Sequence, residues 1–217
     1  MSAKYFAVAT MFTFCLVLAP AFAAEVDFET LAVGSTFNMA NGQNPGDTFL
    51  VQNGIAVTVE EFTSGVFTGF NALTIDDPTT SFFPASENMT QSATTNNINM
   101  RFDFTGLGFG VTRASIEFAD GGDTNNFDLN DTGQQEFNRF TQVTPVAGYT
   151  ISVNMADING TDVGTLEVIA DPGNTIQSIE FGGQETSFDN LVAIPEPTSV
   201  TCLLVAGGIL MFRRTRS

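Results

Sequence analysis

Side chains with oxygen ligands are concentrated in two stretches of the sequence. The first holds Asp120, Asp123, Asn125, Asn126, Asp128, Asn130 and Asp131. In the second, Asp157, Asn159 and Asp162 surround Gly160 in half of an EF-hand spacing, but Val168 stands where the closing Glu would be. Because calcium takes about 6–8 oxygen ligands, both stretches are candidate calcium loops. Ordinary solvated turns use the same residues and are the alternative interpretation.

Few residues in the sequence are suited to catalysis. The chain has no His, and its two cysteines, Cys15 and Cys202, lie near the two ends. The central part of the chain therefore cannot form a Ser-His-Asp, Cys-His or zinc–histidine site. Paired carboxylates of the glycosidase type remain possible, but no spacing marks a particular pair. The Gly-rich segment 106–110 has no Lys for phosphate, and we predict a hairpin turn there.

Period-two alternation of apolar and polar side chains is the dominant local pattern, and it predicts half-buried strands. The predicted strands cover residues 55–59, 98–104, 114–118, 149–155, 166–168 and 179–181. Turn formers such as Asn53-Gly54, Gly121-Gly122 and Gly182-Gly183 separate them. Residues 38–46 and 76–97 are largely polar, and we expect long loops there. No stretch has a capped helical stripe, so the pattern predicts one all-β domain, a sandwich or a barrel, over residues 24–194.

The two edges of this domain carry a short motif of their own. It begins with Val26-Asp27-Phe28-Glu29 and ends with the segment from Ser187 through Phe188-Asp189-Asn190-Leu191 to Val192. An early Phe-Glu and a final Phe-Asp-Asn-Leu resemble the edge strands of jelly-roll domains in lectin-like and carbohydrate-binding modules. The resemblance implies a single jelly-roll-like β-sandwich whose first and last strands lie close together. It also implies a structural Ca²⁺ ion held by Glu29 and Asp189.

Charge and composition limit the classes of partner. The formal net charge of the chain is −17, and the only basic residues of the domain are Arg101, Arg113 and Arg139. Nucleic acid is excluded as a partner because its phosphates are bound through Lys and Arg. Docking to anionic lipid by charge is excluded for the same reason. An acidic excess favours solubility, salt tolerance and cation binding.

The N-terminal residues predict export. Lys4 precedes an uncharged apolar run from Phe6 to Ala19, and small residues, Ala21 and Ala23, follow at the positions that a signal peptidase reads. This is the pattern of a secretory signal peptide, which we place at residues 1–23 with cleavage by signal peptidase after Ala23. A transmembrane anchor is the alternative, but the run is short for a span of about 20 residues.

The C-terminal residues have three parts of their own. Pro195-Glu196-Pro197 is followed by an apolar run that ends at Phe212, and then by Arg213, Arg214 and Arg216. This arrangement resembles the PEP-CTERM sorting signal of Gram-negative bacteria, here over residues 195–217. The resemblance implies a short transmembrane helix and processing near Pro-Glu-Pro by a membrane protease of the exosortase type. A simple C-terminal anchor is the alternative.

These patterns predict a protein exported across the inner membrane, held briefly in the membrane, and then released to the cell surface or extracellular matrix. The first hypothesis for its function is a non-enzymatic surface or matrix protein with an acidic β-sandwich. The second is a calcium-assisted carbohydrate-binding module that associates with exopolysaccharide. A carboxylate-based glycoside hydrolase ranks third.

Overall fold

A computed structural model of the chain describes residues 23–65, 67–77, 91–121, 124–138, 140–158 and 160–195. The strands within them are β1 (Ala24–Val26), β2 (Thr36–Phe37), β3 (Thr48–Gln52), β4 (Ile55–Ser64), β5 (Phe67–Gly69), β6 (Ala72–Asp76), β7 (Ser92–Asn96), β8 (Ile98–Asp103), β9 (Val111–Asp120), β10 (Asn125–Leu129), β11 (Gln135–Phe137), β12 (Tyr149–Ile158), β13 (Thr161–Ala170), β14 (Ser178–Gly183) and β15 (Thr186–Pro195). The helical elements of this part of the chain are two short 3₁₀ turns, Met39–Asn41 and Thr105–Leu107. Every strand that the alternation predicts is present.

The strands form two antiparallel sheets. The eight-stranded sheet has the order β12-β13-β9-β15-β7-β6-β2, and β1 also pairs with β15. The seven-stranded sheet has the order β11-β10-β14-β8-β4-β3, and β5 also pairs with β4. From β7 onward, consecutive strands alternate between the two sheets. The exceptions are two hairpins, β10–β11 in the seven-stranded sheet and β12–β13 in the eight-stranded sheet.

Side chains from the two sheets share one hydrophobic core, which makes the fold a β-sandwich. Phe181 of β14 lies between Phe118 of β9 and Phe188 of β15, with ring centroids 5.0 and 4.8 Å away. Both contacts are edge-to-face, with interplanar angles of 76° and 75°, an arrangement that adds to the gain from burial. The abundant Phe residues therefore hold the sheets together.

The loop predicted for residues 76–97 is wrong at its C-terminal end. Residues Ser92–Asn96 form β7, which pairs with β6 on one side and β15 on the other. The strand was missed because its stability comes from polar contacts and not from apolar alternation. Thr95 Oγ1 donates to the Thr186 carbonyl at 3.0 Å, and the hydroxyls of Thr94 and Ser187 lie 2.8 Å apart. Residues 78–90 of the predicted loop lie outside the described residues.

Two of the predicted turns are also wrong. Gly182 and Gly183 lie within β14, and the turn that follows is formed by Gln184 and Glu185. Gly182 has no side chain because a Cβ atom there would overlap Ile98 and Asn99 of the neighbouring strand. Segment 106–110 is not a hairpin turn, since it carries the chain from β8 in one sheet to β9 in the other.

The predicted signal helix and the predicted C-terminal transmembrane helix lie outside the described residues. Within the described part of the chain, no helix is long and apolar enough to cross a membrane.

Candidate functional site

The strand pairing predicted from the two edges of the domain is present. β1 pairs antiparallel with β15, with Val26 opposite Leu191. The first strand is shorter than expected, because it ends at Val26 and the backbone turns at Phe28, which has a φ of 58°. Glu29 lies after this turn with an exposed side chain, and its N–H donates to Asp27 Oδ1 at 3.1 Å.

The other predicted calcium ligand, Asp189, is fully buried in β15. Its direct neighbour on β9 is Glu117, and both face away from the core because Phe188 faces into it. Asn190 connects the two, with its N–H donating to Asp189 Oδ1 at 2.7 Å and its amide to Glu117 Oε2 at 3.2 Å. The structure thus gives Asp189 an acidic neighbour, Glu117, that the sequence motif did not single out.

The expected loop from residue 120 to residue 131 is mostly strand. β9 ends at Asp120, and β10 covers Asn125–Leu129. Asn125 donates its amide to Asp120 Oδ2 at 2.8 Å, and Thr186 Oγ1 donates to Asn125 Oδ1 at 3.0 Å. All three side chains are buried, so they join the ends of the two sheets and do not form an open calcium loop. Asp123 lies outside the described residues.

The second candidate loop is the hairpin between β12 and β13. Asp157 and Asp162 are directly opposite each other there, and Asp162 is also opposite Asp120. Asp157 Oδ1 accepts from the Gly160 N–H at 2.8 Å, as in an ordinary Asx turn. Asn159 lies outside the described residues. Within the described ranges, no three or more His, Cys, Asp or Glu side chains are grouped so that they could hold a metal ion.

A different set of polar side chains covers the outer face of the seven-stranded sheet. Asp128, Glu180, Arg101 and Thr58 are successive cross-strand neighbours on β10, β14, β8 and β4. We call these four residues the carboxylate row. All of them are partly exposed. Arg101 Nη2 donates to Asp131 Oδ2 at 2.9 Å, which holds the guanidinium at the side of the row that β10 forms.

Burial dominates the electrostatics of the carboxylate row. It raises the pKa of the Glu180 carboxyl, whereas a hydrogen bond from Asn99 at 2.7 Å acts in the opposite direction. Burial also raises the pKa of Asp128, against backbone hydrogen bonds from Gly133 and Thr132 that lower it. The hydrogen bond from Arg101 holds the pKa of the Asp131 carboxyl below its usual range. The row is therefore a place where two neighbouring carboxylates are poorly solvated.

A second polar row lies beside the first on the same face. Its members are direct cross-strand neighbours on β4, β8, β14, β10 and β11, and we call them the amide row: Glu60, Asn99, Gly182, Asn126 and Glu136. Asn99 and Asn126 are fully buried although they point away from the core. Another part of the chain must therefore cover them.

The cover is the hairpin formed by the end of β4 with β5. β4 pairs with β8 as far as Glu61, and its last residues, Phe62–Ser64, pair with β5 instead. Beyond β4, the Gly65 N–H donates to Glu136 Oε1 at 2.8 Å, on the strand at the opposite edge of the sheet. The hairpin therefore crosses the outer face. Phe62 is fully buried yet lies outside the core that the two sheets share, as expected for this crossing.

Polar atoms beneath this hairpin are unsatisfied. Neither amide atom of Asn126 has a hydrogen-bond partner among the described residues, and Asn99 Oδ1 also has none. Asn99 donates from its amide nitrogen to Glu180 and, at 3.1 Å, to the Glu61 carbonyl. A buried amide without partners costs about 1–3 kcal/mol, so a native structure that keeps one usually has a use or an occupant for it.

One aromatic side chain is exposed near the same edge of the sheet. Phe140 is 82% exposed, in the segment that follows β11. Its backbone N–H donates to Asn138 Oδ1 at 2.9 Å, and the same oxygen accepts from the Thr141 N–H at 3.0 Å. These hydrogen bonds order the turn that carries the ring. A ring so exposed is accessible to a ligand.

Sequence reasoning missed this face because its residues are the polar half of alternating strands. Arg101 and Asn99 appear in the sequence only as the solvent side of β8, and Glu180 only as that of β14. Their grouping depends on which strands are neighbours, and local alternation contains no information about that. The double glycine at Gly182 is the one local signal, because Gly inside a strand often marks a close approach of another group.

Of the predicted sorting residues, Pro195 is described and is the last residue of β15, opposite Val111. The others, Glu196, Pro197, Arg213, Arg214 and Arg216, lie outside the described residues. No protein-family model matches the chain, and the search of curated proteins also gave no match.

Proposed function

We propose that the chain is an exported, non-catalytic protein of the cell surface or extracellular matrix whose β-sandwich binds exopolysaccharide. The signal-peptide pattern at residues 1–23 and the likeness of residues 195–217 to a PEP-CTERM signal support the destination. Signal peptidase and an exosortase-type protease are then its processing partners. The body is released after a transient stay in the membrane.

The strand order supports a jelly-roll for the body. β7, β15, β9 and β13 follow one another in one sheet, and β8, β14, β10 and β11 in the other. If the strands are numbered along the chain from β7 as position 1 to β15 as position 8, with the β12–β13 hairpin counted as one position, the first sheet has the order 1-8-3-6. The second sheet has the order 2-7-4-5. That is the interleaved order of two Greek keys in a double-sheet jelly-roll. The fold alone does not define a function, so the binding proposal rests on the outer face.

The observation that carries the binding proposal is the pair of polar rows on that face. Carboxylate, guanidinium and amide groups are the side chains that hydrogen-bond the hydroxyls of a sugar, and they stand here at the spacing of neighbouring strands. Arg101 and Glu180 are held by hydrogen bonds to Asp131 and Asn99, so their geometry is fixed before a ligand binds. Phe140 supplies an exposed ring near the same edge for the apolar face of a sugar.

Calcium is proposed as a structural ion that supports this binding. Asp189 and Glu117 are acidic side chains directly opposite each other on neighbouring strands, and a cation beside them would offset the destabilisation that like charges cause there. Oxygen is the ligand atom that calcium takes, and Glu29 follows the strand that pairs with β15. Asp189 and Glu29 are the proposed ligands.

A glycoside hydrolase is the alternative, and one observation favours it. Asp128 and Glu180 are direct cross-strand neighbours, and the Cβ atoms of such pairs lie about 4.5–5.5 Å apart. A retaining glycosidase has its two carboxyl groups about 5–5.5 Å apart, but it needs one protonated and one ionised. The same cause, burial, raises the pKa of both carboxyls here, and we therefore rank hydrolysis below binding.

Binding of residues 24–194 to an array of glycans, with calcium and after chelation, tests the proposal. We expect binding to a defined glycan class, at least tenfold weaker in the Arg101→Ala variant and unchanged in Arg113→Ala, which removes an exposed guanidinium from the other sheet. Chelation should weaken binding and lower the melting temperature.

Absence of binding to any glycan would contradict the binding proposal. An unchanged melting curve after chelation would contradict the calcium proposal alone. Release of reducing sugar from a bound glycan, lost in Glu180→Gln, would favour the hydrolase instead.

A further inference from the structure

The unsatisfied amide of Asn126 defines what kind of group could complete it. The side chain offers two N–H donors and one carbonyl acceptor, and none of them has a partner among the described residues. Asn99 adds a further acceptor, Oδ1, two strands away across Gly182. A cation would satisfy only the carbonyl oxygens. A hydroxyl group is both donor and acceptor, so neighbouring hydroxyls can satisfy both amide atoms of Asn126.

The surroundings of Asn126 set the charge of that group. Two carboxylates of the carboxylate row, Asp128 and Glu180, lie one position further along the same face. Glu60 and Glu136 stand at the two ends of the amide row itself. Among the described residues, the cation of these two rows is Arg101, which already donates to Asp131. An anionic ligand would be repelled by this set, so the group that completes Asn126 is neutral.

The hairpin that covers the amide row limits how much of a ligand can reach this row. The hairpin of β4 and β5 crosses this row, whereas the carboxylate row beside it is partly exposed. A ligand lying on the carboxylate row would therefore extend only its edge, one ring or part of one ring, towards Asn126. Phe62, at the end of β4, is a buried apolar side chain of this cover.

On these grounds we propose that Asn126 and Asn99 form a subsite for one neutral, hydroxyl-bearing sugar unit, with neighbouring hydroxyls bound by the Asn126 amide. This rests on the proposed function, because the rest of the glycan lies on the carboxylate row. It adds a specificity that the rows alone do not give. Neutral hexose polymers are bound, and polymers of uronic acids are rejected.

Removing the side-chain amide of Asn126 distinguishes a role in sugar binding from a role in stability. Asn126→Leu keeps the size of the side chain and removes the unsatisfied polar atoms. If a sugar is their partner, the free variant should be no less stable than the wild-type protein, because an unpaired buried polar group has been removed. Its affinity for neutral sugars should fall. A water molecule that structurally satisfies Asn126 would give the reverse result.

The experiment uses the full chain, purified from the envelope of the cells that export it. Binding is measured to gluco-, galacto- and manno-oligosaccharides and to oligouronates. We expect at least tenfold weaker binding of the neutral oligosaccharides in both Asn126→Leu and Asn126→Ala, with the melting temperature of Asn126→Leu equal to or above that of the wild type. Asn154→Ala, an exposed position on the other sheet, should bind as the wild type does.

Three results would overturn the subsite. They are unchanged binding in both Asn126 variants, tighter binding of oligouronates than of neutral sugars, and a lower melting temperature or loss of folding in Asn126→Leu, which would show that the amide is satisfied within the protein. If the wild-type chain binds none of these probes, the binding proposal itself has failed, so the two failures are distinguishable.

Discussion

At the scale of single residues, Glu180 shows that the outer face destabilises the ionised form of a carboxyl group. Its carboxyl lies among Glu60, Asp128 and Arg101, and burial is the main reason why its pKa is raised. The native protein therefore holds a proton at Glu180 more tightly than the unfolded chain does. Stability contributed by this residue falls as the pH rises from its ordinary value of 4.5 through its raised value. Asp131 acts in the opposite sense, because Arg101 lowers its pKa and stability is lost only below the ordinary value of 3.8.

The variant Glu180→Gln tests this cost directly. It removes the charge but keeps an oxygen that can accept from Asn99, so we expect a higher melting temperature at pH 7. For a domain of this size, about 1 kcal/mol corresponds to a shift of about 2–4 °C. The difference from the wild type should shrink as the pH is lowered below the ordinary value of 4.5, where Glu180 is mostly protonated in both states. Thermal unfolding between pH 4 and pH 8 measures it.

The control for this prediction is Glu25→Gln, which makes the same change of charge at an exposed position of β1. Its melting temperature should follow that of the wild type across the pH range. A Glu180→Gln protein that is less stable at pH 7, or whose difference from the wild type does not depend on pH, would show that the carboxylate is stabilising as a charge.

At the scale of elements, the alternation of side chains predicted most strands but not their neighbours. The pattern Ile98, Met100, Phe102 found β8 because one face of that strand packs into the core. The same rule failed for β7, whose buried Thr95 is held by a hydrogen bond to β15. The prediction of a turn also failed at Gly182. This glycine lies inside β14, where the backbone of β8 is too close to allow a side chain. Local pattern records burial of apolar groups, whereas these elements depend on contacts with distant strands.

The candidate site was out of reach for the same reason. The sequence marked Glu29 and Asp189 through a resemblance, and the structure does bring β1 to β15. It could not mark Glu117, because that residue reaches Asp189 only through the pairing of β9 with β15. Asn99 and Asn126 lie on the two strands that flank β14, on either side of Gly182. The hairpin covers them only once the sheet has formed. Such sites are properties of the sheet order.

Gly182 makes the element-scale argument testable. In Gly182→Ala the added methyl group would overlap the backbone of β8, so β14 and β8 must separate. We expect a loss of about 1–3 kcal/mol in the free energy of unfolding, as for other overpacked positions. In the control, Gly110→Ala, the nearest atom is the terminal methyl of Thr175 at 2.9 Å, which can move away. Denaturant unfolding measures both, and equal losses would mean that the close approach at Gly182 is not limiting.

At the scale of the whole molecule, the acidic charge of the chain fits its proposed destination outside the cell. The chain carries a formal net charge of −17, and its β-sandwich leaves the carboxylate row partly exposed on the outer face of one sheet. Under the proposed function, like charges would keep released copies apart and soluble in a polymer matrix, at some cost to the compact state. Cations in the medium reduce that cost by screening. A surface of this kind suits a protein that works at high local concentration outside the cell.

The end of β15 makes a specific prediction about processing. β15 is an interior strand of its sheet, and Ile194 and Pro195 still pair with Arg113 and Val111 of β9. A protease must draw its substrate out as an extended chain, so bonds within β15 are protected and a cut has to fall after Pro195. Mass spectrometry of surface material should therefore find bodies that end at or beyond Pro195 and lack residues 213–217. Replacing Arg213, Arg214 and Arg216 by Ala should leave the tail uncut.

The alternatives predict different masses. A simple anchor would leave the intact C-terminus on the surface protein, whatever residues stand at positions 213–216. A cut before Ile194 would show that the end of β15 opens readily, and the released body would lose the pairs that Ile194 and Pro195 make with β9. A cut before Asp189 would remove this proposed calcium ligand as well, and such a body should lose its calcium response. A cut after Pro195 leaves both the sheet and the proposed calcium ligands complete.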